Sequence, residues 1–153
     1  MIVWTSINGL FISCKIEGGL LREVRFAQSG KRIGSKLFLE LLNNASINWR
    51  DFSEKQETVY RELLKVPKGR LTTYKKLADR CEMNPREVGR ILGKNPFPVR
   101  IPCHRVVMSN GSIGGYHEGI EKKKRLLEFE GLRIKDNRIL DFGTVLQNRG
   151  STK

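Results

Sequence analysis

The residues best suited to chemistry in this sequence are Cys103 and His104, which are adjacent and follow a proline. A histidine can lower the pKa of a nearby thiol and so generate a nucleophilic thiolate. Adjacent side chains point to opposite faces of an extended segment, so His104 needs a turn or a bridging water to reach the sulfur. It also needs an orienting carboxylate, for which Glu128 and Glu130 are candidates. The pattern alone leaves two interpretations open for Cys103, a nucleophile or a buried core residue.

Metal binding is a weaker interpretation of the same residues. Zinc sites use several cysteines and histidines in paired spacing, and here Cys103, His104 and His117 are the candidates that lie near one another in sequence. An adjacent pair does not easily chelate one ion, so we predict no metal site. We also expect no cofactor. Cys14 and Cys81 fall on the apolar faces of a predicted strand and a predicted helix, and we expect both to be core residues.

The charge of the chain points to a polyanionic partner. The net charge is +13 over 153 residues, and residues 52–153 hold 22 of the 29 basic groups against 12 of the 16 acidic ones. Such an excess indicates nucleic acid, although charge alone fits a solubility role equally well. No stretch approaches the roughly 18 apolar residues of a membrane span, and the N-terminus lacks the features of a signal peptide. We therefore expect a cytoplasmic protein without a membrane partner.

The elements that position these residues begin with a small sheet and a helix. Apolar and polar residues partly alternate in residues 1–6, 10–16 and 19–27, and glycine-containing turns separate these three predicted strands. A helix follows, and its expected apolar face consists of Ile33, Leu37, Phe38, Leu41 and Leu42.

Three further helices are predicted, each with a recognisable N-terminus. Ser53 and Gln56 form a capping-box pattern, Thr72 or Thr73 caps the second helix, and Asn84 caps the third. The second and third helices are short and closely connected, which is typical of a helix-turn-helix.

The third helix is expected to be basic on its outer side, where Arg86, Arg90 and Lys94 point outwards, while Glu87 completes its capping box. We expect residues 99–108 to be extended.

A closing helix over residues 120–131 is expected to bury Ile120, Leu126 and Leu127. One more strand is predicted at residues 138–142, and we expect the chain to fray after it.

The stretch "IPCHRV", preceded by "NPFP" and followed by "GGY", closely resembles the active-site signature of the O6-alkylguanine-DNA alkyltransferases. "GRLTTYKKLA", "NPREVGRILGKNP" and "KKKRLLEFEG" resemble that family's strand-helix entry, recognition helix and last helix, so the resemblance covers residues 53–133. It implies an α/β (α+β) fold with a small ribonuclease-H-like N-terminal lobe, residues 1–50, and a winged helix-turn-helix C-terminal domain, residues 51–153.

The resemblance implies a catalytic role for five residues. Cys103 would be the nucleophile that keeps the alkyl group, and His104 would draw off the thiol proton through a water with Glu130 orienting it. Tyr74 would protonate or hydrogen-bond the departing guanine, and Asn95 would be the hinge that braces the turn before the active site.

The resemblance also implies contacts with the flipped base. Tyr116 would pack beside it, the carbonyls of Cys103 and Val106 would accept from its exocyclic amine, and the backbone N–H of His117 would reach O6. The side chain of His117 is expected to be that of an exposed loop histidine. Lys123 matches a lysine near the family's pocket.

DNA contacts are implied for the helix-turn-helix. Arg86 would enter the duplex where the base has left, and Thr73, Gly89 and Arg90 would lie against the DNA. The chain departs from the family at Glu87 and Arg90, where small residues are usual. An acid at position 87 either caps the helix or repels phosphate.

A further departure follows Tyr116, where His117 and Glu118 replace the usual serine and a small or basic residue. Pocket size and the selectivity for the leaving group depend on this position.

Three functional hypotheses remain distinct. The first is a single-turnover methyltransferase, a monomer that binds double-stranded DNA containing O6-alkylguanine and alkylates its own Cys103. The second is a non-enzymatic DNA-binding module or lesion flag, a kind that typically lacks this cysteine. The third is a Cys-His hydrolase, which would turn over and would leave the basic helix-turn-helix without a purpose. The resemblance favours the first.

Overall fold

The computed structural model describes residues 1–147, and its N-terminal part is a four-stranded sheet with one helix. The elements are β1 (Ile2–Ile7), β2 (Leu10–Glu17), β3 (Leu20–Arg25), β4 (Lys31–Arg32) and α1 (Ser35–Asn44). The strand order in the sheet is β3-β2-β1-β4, with β1 antiparallel to β2, β2 antiparallel to β3, and β4 parallel to β1. The three predicted strands and the helix are confirmed, whereas the two-residue β4 was not predicted.

The buried face of α1 is narrower than its sequence suggests. Phe38 and Leu42 are fully buried, but Leu37 is 50% exposed. Positions four residues apart lie on one face of a helix, so Phe38 and Leu42 face the sheet while the neighbouring Leu37 is turned towards solvent. The prediction that Leu37 belongs to the core is therefore wrong.

The C-terminal part contains the helix-turn-helix. Its elements are α2 (Glu54–Leu63), β5 (Thr72–Thr73), α3 (Tyr74–Cys81), α4 (Pro85–Gly93), β6 (Val106–Val107) and α5 (Ile120–Phe129). The predicted caps are present: Ser53 and Gln56 form a reciprocal capping box, Thr73 caps α3, and Asn84 caps α4. Strand β5 pairs in parallel with β6, which ties the start of α3 to the segment after Cys103.

The segment around Cys103 is not extended, which corrects the prediction for residues 99–108. Cys103–Arg105 form one turn of 3₁₀ helix, with the N–H of Arg105 donating to the carbonyl of Pro102 at 3.0 Å. Val106–Val107 are the part of this segment that forms a strand. Successive side chains are about 120° apart in a 3₁₀ turn, whereas those of a strand point to opposite faces, so the turn brings the directions of Cys103 and His104 closer together.

The closing helix and the tail differ from prediction in two respects. Ile120 is the first residue of α5 and is 44% exposed. The first buried side chain of this helix is that of Lys123. After it the chain forms a hairpin, β7 (Ile134–Lys135) and β8 (Arg138–Ile139), and a short helix, α6 (Phe142–Val145). Fraying was expected beyond residue 142, but the N–H of Gln147 donates to Leu71 at 2.7 Å. Residues 148–153 lie outside the described part.

One large hydrophobic cluster joins the sheet, α1 and helices α2 to α4, and Cys14 and Cys81 belong to it as predicted. A second cluster joins the tail to β5, β6 and α5; its buried members are Leu71, Val107, Ile113, Leu127, Leu132 and Ile139. Among residues 1–147 no helix is long and apolar enough to cross a membrane. The α+β architecture agrees with the predicted fold class.

Candidate active site

A cavity of about 250 Å³ lies between α3, α4 and the loop before α5. Its lining residues are Tyr74, Gly89, Leu92, Gly93, Cys103, Gly115, Tyr116 and His117. A Cβ placed on Gly89 or Gly93 would meet no described atom within 4 Å outside the immediate backbone, so α4 presents a flat edge here. Five of the predicted site residues therefore surround a single cavity that is open to solvent.

The Cys103 sulfur is held in its turn by an amide. Nδ2 of Asn95 lies 3.2 Å from Sγ and donates to the carbonyl of Ile101 at 2.8 Å, while its Oδ1 accepts the N–H of Phe97 at 2.9 Å. One buried side chain thus braces the chain between α4 and Cys103. Burial raises the pKa of the Cys103 thiol, although Asn95 and the positive charge of Lys123 act in the opposite direction. The resting group is a protonated thiol.

His104 is fully buried and turned towards the end of α5. Its Nε2 lies 3.0 Å from Oε2 of Glu130, and its Nδ1 has no hydrogen-bond partner within residues 1–147. Gly131, with φ of +95°, follows Glu130 and ends the helix with the carboxylate pointing inwards. Of the two candidate carboxylates, Glu130 contacts His104, and Glu128 is exposed.

Arg105 completes this array, although no role was predicted for it from the sequence. Its Nε and Nη2 donate to both carboxylate oxygens of Glu130 at 2.9 and 2.7 Å, and its Nη1 donates to the carbonyl of Val66 at 2.8 Å. A planar guanidinium matches a carboxylate in this two-point geometry. A basic residue directly after the Cys-His pair is the signal that could have suggested a partner for Glu130.

The charges of the array follow from these contacts. Burial alone would raise the pKa of Glu130, but its contacts with His104 and Arg105 outweigh burial and lower the pKa to about 2. Burial lowers the pKa of His104, which the contact with Glu130 opposes without reversing. Glu130 is therefore ionised and His104 neutral near pH 7. The carboxylate accepts the proton on Nε2, which leaves Nδ1 as the basic nitrogen.

Two phenol groups line the cavity. The Tyr74 hydroxyl lies 3.5 Å from the carbonyl of Gly115, at the limit of a hydrogen bond. The Tyr116 hydroxyl is buried near the Cys103 sulfur and has no partner of standard hydrogen-bond geometry in the described chain. Burial raises the pKa of both tyrosines, and a charge on Cys103 would raise each further. Both hydroxyls are therefore available as proton donors.

Lys123 is fully buried behind the cavity. Its Nζ donates to the carbonyls of Val106 at 2.7 Å and Gly115 at 3.0 Å, and burial lowers its pKa to about 8. The ammonium thus joins β6 to the loop that forms one wall of the cavity. Val106, predicted to accept from the guanine, already accepts from Lys123, and its second lone pair stays available.

His117 lies at the rim of the cavity. Its side chain is 28% exposed, Nε2 is 3.3 Å from Oε2 of Glu118, and its ring centroid is 5.5 Å from that of Tyr116. The residue is on an exposed loop, as predicted for its side chain, and the Glu118 carboxylate holds its ring beside the opening.

The residues predicted to contact DNA lie on or beside α4, with one exception. Arg86 and Arg90 are exposed on the helix, and Gly89 lies in the cavity wall. Thr73 is 3% exposed and its Oγ1 accepts the N–H of Lys76 at 3.0 Å. A contact between Thr73 and DNA would therefore have to come from its main chain.

Glu87 does not close the capping box that its position suggests. The N–H of Glu87 donates to Oδ1 of Asn84 at 2.8 Å, but its carboxylate lies 2.6 Å from Nζ of Lys55 on α2. The ion pair across the two helices replaces the predicted reciprocal bond. Lys55 is thus a second residue for which the sequence predicted no role, and it lies across α4 from the cavity.

Metal binding finds no support in residues 1–147, where no three His, Cys, Asp or Glu side chains converge. Cys14, Cys81 and Cys103 are all free thiols, each of them buried.

Residues 54–132 match the family described as "6-O-methylguanine DNA methyltransferase, DNA binding domain". A methylated-DNA–protein-cysteine methyltransferase from Pyrobaculum aerophilum is 45% identical over 105 residues, 69% of this chain and 65% of that protein. An O6-methylguanine-DNA methyltransferase structure from Pyrococcus kodakaraensis has a TM-score of 0.64 at 26% identity and covers 86% of this chain and 99% of that one. A Mycobacterium tuberculosis OGT in complex with DNA shares the fold, with a TM-score of 0.65 at 23% identity over 84% and 91% of the two chains.

The fold and the site together define a helix-turn-helix protein with a cysteine in a cavity beside α4 and a histidine–glutamate pair at the end of α5. The family match covers just over half of the chain, and the chain therefore belongs to the 6-O-methylguanine DNA methyltransferase family. The matched segment spans slightly less than two thirds of the Pyrobaculum relative's length.

Proposed function

We propose that this protein repairs DNA by transferring the alkyl group from O6 of a flipped guanine to its own Cys103, once per molecule. The observation that carries this proposal is a thiol in an open cavity next to a neutral histidine. The imidazole is bound through Nε2 to Glu130, and its Nδ1 has no partner within the described residues. The names of the Pyrobaculum and Pyrococcus relatives support the same activity.

The transfer needs one proton acceptor and one proton donor. Nδ1 of His104 takes the thiol proton through a water while Glu130, held by Arg105, stabilises the imidazolium that forms. The Sγ–C bond forms as the C–O6 bond breaks, and the electron pair of that bond stays on the guanine. Tyr74 supplies a proton to the guanine and is reprotonated from water, while the imidazolium gives up its proton to water, so that overall the proton lost by the thiol is balanced by the one gained by the guanine. No cofactor takes part, because placement and proton transfer are sufficient for this displacement.

The cavity walls would hold the base for this step. Tyr116 packs beside the guanine, and the carbonyls of Cys103 and Val106 accept from its exocyclic amine. The backbone N–H of His117 reaches O6. The buried Lys123 fixes both Val106 and the loop before His117, and Asn95 keeps the sulfur in its turn.

The partner in this proposal is double-stranded DNA that contains O6-alkylguanine. A duplex buries O6 in the base stack, so the base has to be flipped at a cost of a few kcal/mol, and Arg86 fills the gap that it leaves. Arg90, Gly89 and the main chain of Thr73 lie against the backbone, which supplies affinity without sequence preference. We assign the protein as a monomer in the cytoplasm, where a reducing environment keeps the acceptor thiol free.

The proposal is tested by the mass of the intact protein after incubation with an equimolar duplex carrying one O6-methylguanine. We expect the mass of one methyl group replacing one hydrogen, with the reaction stopping at one event per molecule. Cys103→Ala is expected to gain nothing, whereas Cys81→Ala, which removes another buried cysteine, is expected to react.

Two other results would identify other functions. Binding of the lesion duplex without a change in mass would make the protein a recognition module. Repeated turnover of an ester or amide substrate by Cys103 would make it a hydrolase.

A further inference from the structure

A second groove lies on the other side of α4 from the cavity. It has a volume of about 390 Å³ and lies between the N-terminal half of α2 and the outer side of α4. Its lining residues are Ser53, Lys55, Gln56, Glu87, Arg90, Ile91 and Lys94. Three of these are basic and one is acidic, and all three basic side chains are exposed. We call Lys55, Arg90 and Lys94 the basic ledge.

The helical repeat places the groove and the cavity on opposite edges of the exposed surface of α4. With about 100° between successive residues, Gly89 and Gly93 lie on the cavity edge, Glu87 and Ile91 lie on the groove edge, and Arg90 lies between them. Lys94 follows at the C-cap of the helix, where it also lines the groove. Arg86 lies between the two edges near the N-terminus of the helix. A duplex that lies along α4 with its damaged strand over the cavity has its other strand on the ledge side.

The ion pair between Lys55 and Glu87 neutralises the acidic side chain of the groove. The two side chains are 65% and 24% exposed, and their charged atoms are 2.6 Å apart. An unpaired carboxylate on the same side of α4 as Arg90 would oppose phosphate, whereas the pair with Lys55 cancels that charge and leaves the charges of Arg90 and Lys94 uncompensated. Lys55 thus offsets the acid that makes this helix unlike the family pattern.

We propose that the basic ledge is a second phosphate-binding surface, which holds the DNA strand opposite to the one that carries the damaged base. Arg90 and Lys94 contact phosphates of that strand, and Lys55 neutralises Glu87 so that the backbone can approach. A groove of a duplex has a backbone on each side, so a helix lying in it can contact both strands. This inference rests on the proposed function and adds to it the participation of α2 and of the undamaged strand.

The test measures the affinity of a lesion duplex at several salt concentrations, in the Cys103→Ala background so that transfer does not disturb the equilibrium. The slope of log K against log salt is negative, and each lost phosphate contact makes it less steep by about 0.9. We expect that decrease for Lys94→Ala and about twice that for Arg90→Ala combined with Lys94→Ala. Lys36→Ala, an exposed lysine on α1, is the matched control and is expected to leave the slope unchanged.

Two further comparisons locate the contact. Neutral methylphosphonate linkages in the undamaged strand are expected to weaken DNA binding by the protein with an intact ledge. They are expected to have no such effect on the Arg90→Ala, Lys94→Ala double variant. Lys55→Ala is expected to weaken binding because it leaves Glu87 unpaired, and adding Glu87→Gln is expected to restore the affinity. A melt of each variant followed by circular dichroism checks that its fold is retained.

The ledge is excluded if Lys94→Ala behaves as Lys36→Ala does, or if neutral linkages have an effect in the damaged strand alone. This outcome is separable from failure of the proposed function. If the protein with Cys103 accepts a methyl group from the lesion duplex but the ledge variants keep the full salt slope, the inference fails and the function stands. If it accepts no methyl group, the function fails whatever the ledge variants show.

Discussion

Among single residues, Arg105 acts together with His104 to set the charge state of Glu130. Without the two hydrogen bonds from Arg105, burial would disfavour the ionised form of Glu130 and only His104 would favour it. The guanidinium keeps the carboxylate ionised, and the ionised carboxylate keeps the histidine proton on Nε2. The basic nitrogen is therefore the one that lies away from Glu130.

The lowered pKa of Glu130 predicts how stability depends on pH. A carboxyl with a folded pKa of about 2 against an ordinary value of 4.5 stabilises the fold above pH 4.5, and this contribution is lost as the pH falls towards 2. Glu130→Gln leaves Arg105 buried without its charge partner and is expected to lower the free energy of unfolding by about 3 kcal/mol at neutral pH. Urea unfolding from neutral pH down to about pH 3 measures both effects.

Glu128→Gln is the matched control, because Glu128 is exposed on the same helix. It is expected to leave stability nearly unchanged. A steep loss of stability between pH 4.5 and pH 3 in Glu130→Gln, equal to that of the wild type, would show that other carboxylates produce it.

At the scale of elements, caps determine where the helices begin. Asn84→Ala removes the acceptor for the N–H of Glu87 and is expected to cost about 1 kcal/mol, as for other N-caps. Asn84→Asp keeps an acceptor at this position and is expected to retain the wild-type stability. Urea midpoints measure the difference. Equal midpoints for the alanine and aspartate variants would mean that the Lys55–Glu87 pair and the packing of Val88 hold the start of α4 without the cap.

Local signals of this kind are also why most elements could be predicted from the sequence. Alternation revealed the first three strands, and Ser53, Thr73 and Asn84 marked the helix starts. The turn at Cys103–Arg105 could not be found in this way, because it depends on Asn95, eight residues earlier, bonding to both Ile101 and Cys103. A long-range contact of this kind leaves no periodic pattern in the sequence.

The residues of the candidate site also divide into those that the sequence indicated and those that it did not. Cys103, His104 and Glu130 stood out by residue type and by resemblance. Lys55 did not, because its partner Glu87 is 32 residues away on another helix. The chain after residue 142 was expected to fray because it lies near the C-terminus, but up to residue 147 apolar side chains and backbone bonds to Leu71 hold it in place.

At the scale of the whole molecule, the two hydrophobic clusters meet at β6. Successive side chains of a strand point to opposite faces, so Val106 belongs to the large cluster and Val107 to the second one. This shared strand links the tail to the sheet at the other end of the chain. We therefore expect the described part of the protein to unfold in one cooperative transition.

Ile139→Ala tests this linkage, because Ile139 is buried in the second cluster and the two tryptophans, Trp4 and Trp49, are in the N-terminal part. The cavity is expected to cost about 2–4 kcal/mol. Tryptophan fluorescence and far-ultraviolet circular dichroism should shift to the same lower melting temperature. Leu140→Ala, at a partly exposed neighbouring position, is expected to have a small effect. An unchanged fluorescence midpoint would show that the tail melts independently.

The burial of Cys103 also has a consequence for how long the protein stays usable. Under the proposed function the acceptor reacts once, so a peroxide or another electrophile that reaches it first would inactivate that molecule. Oxidants react with thiolates, whereas this sulfur is 4% exposed at the cavity wall and burial raises its pKa, so it rests as a protonated thiol. In the proposed reaction, the packing that positions the nucleophile would therefore also protect it from oxidation before a damaged base binds.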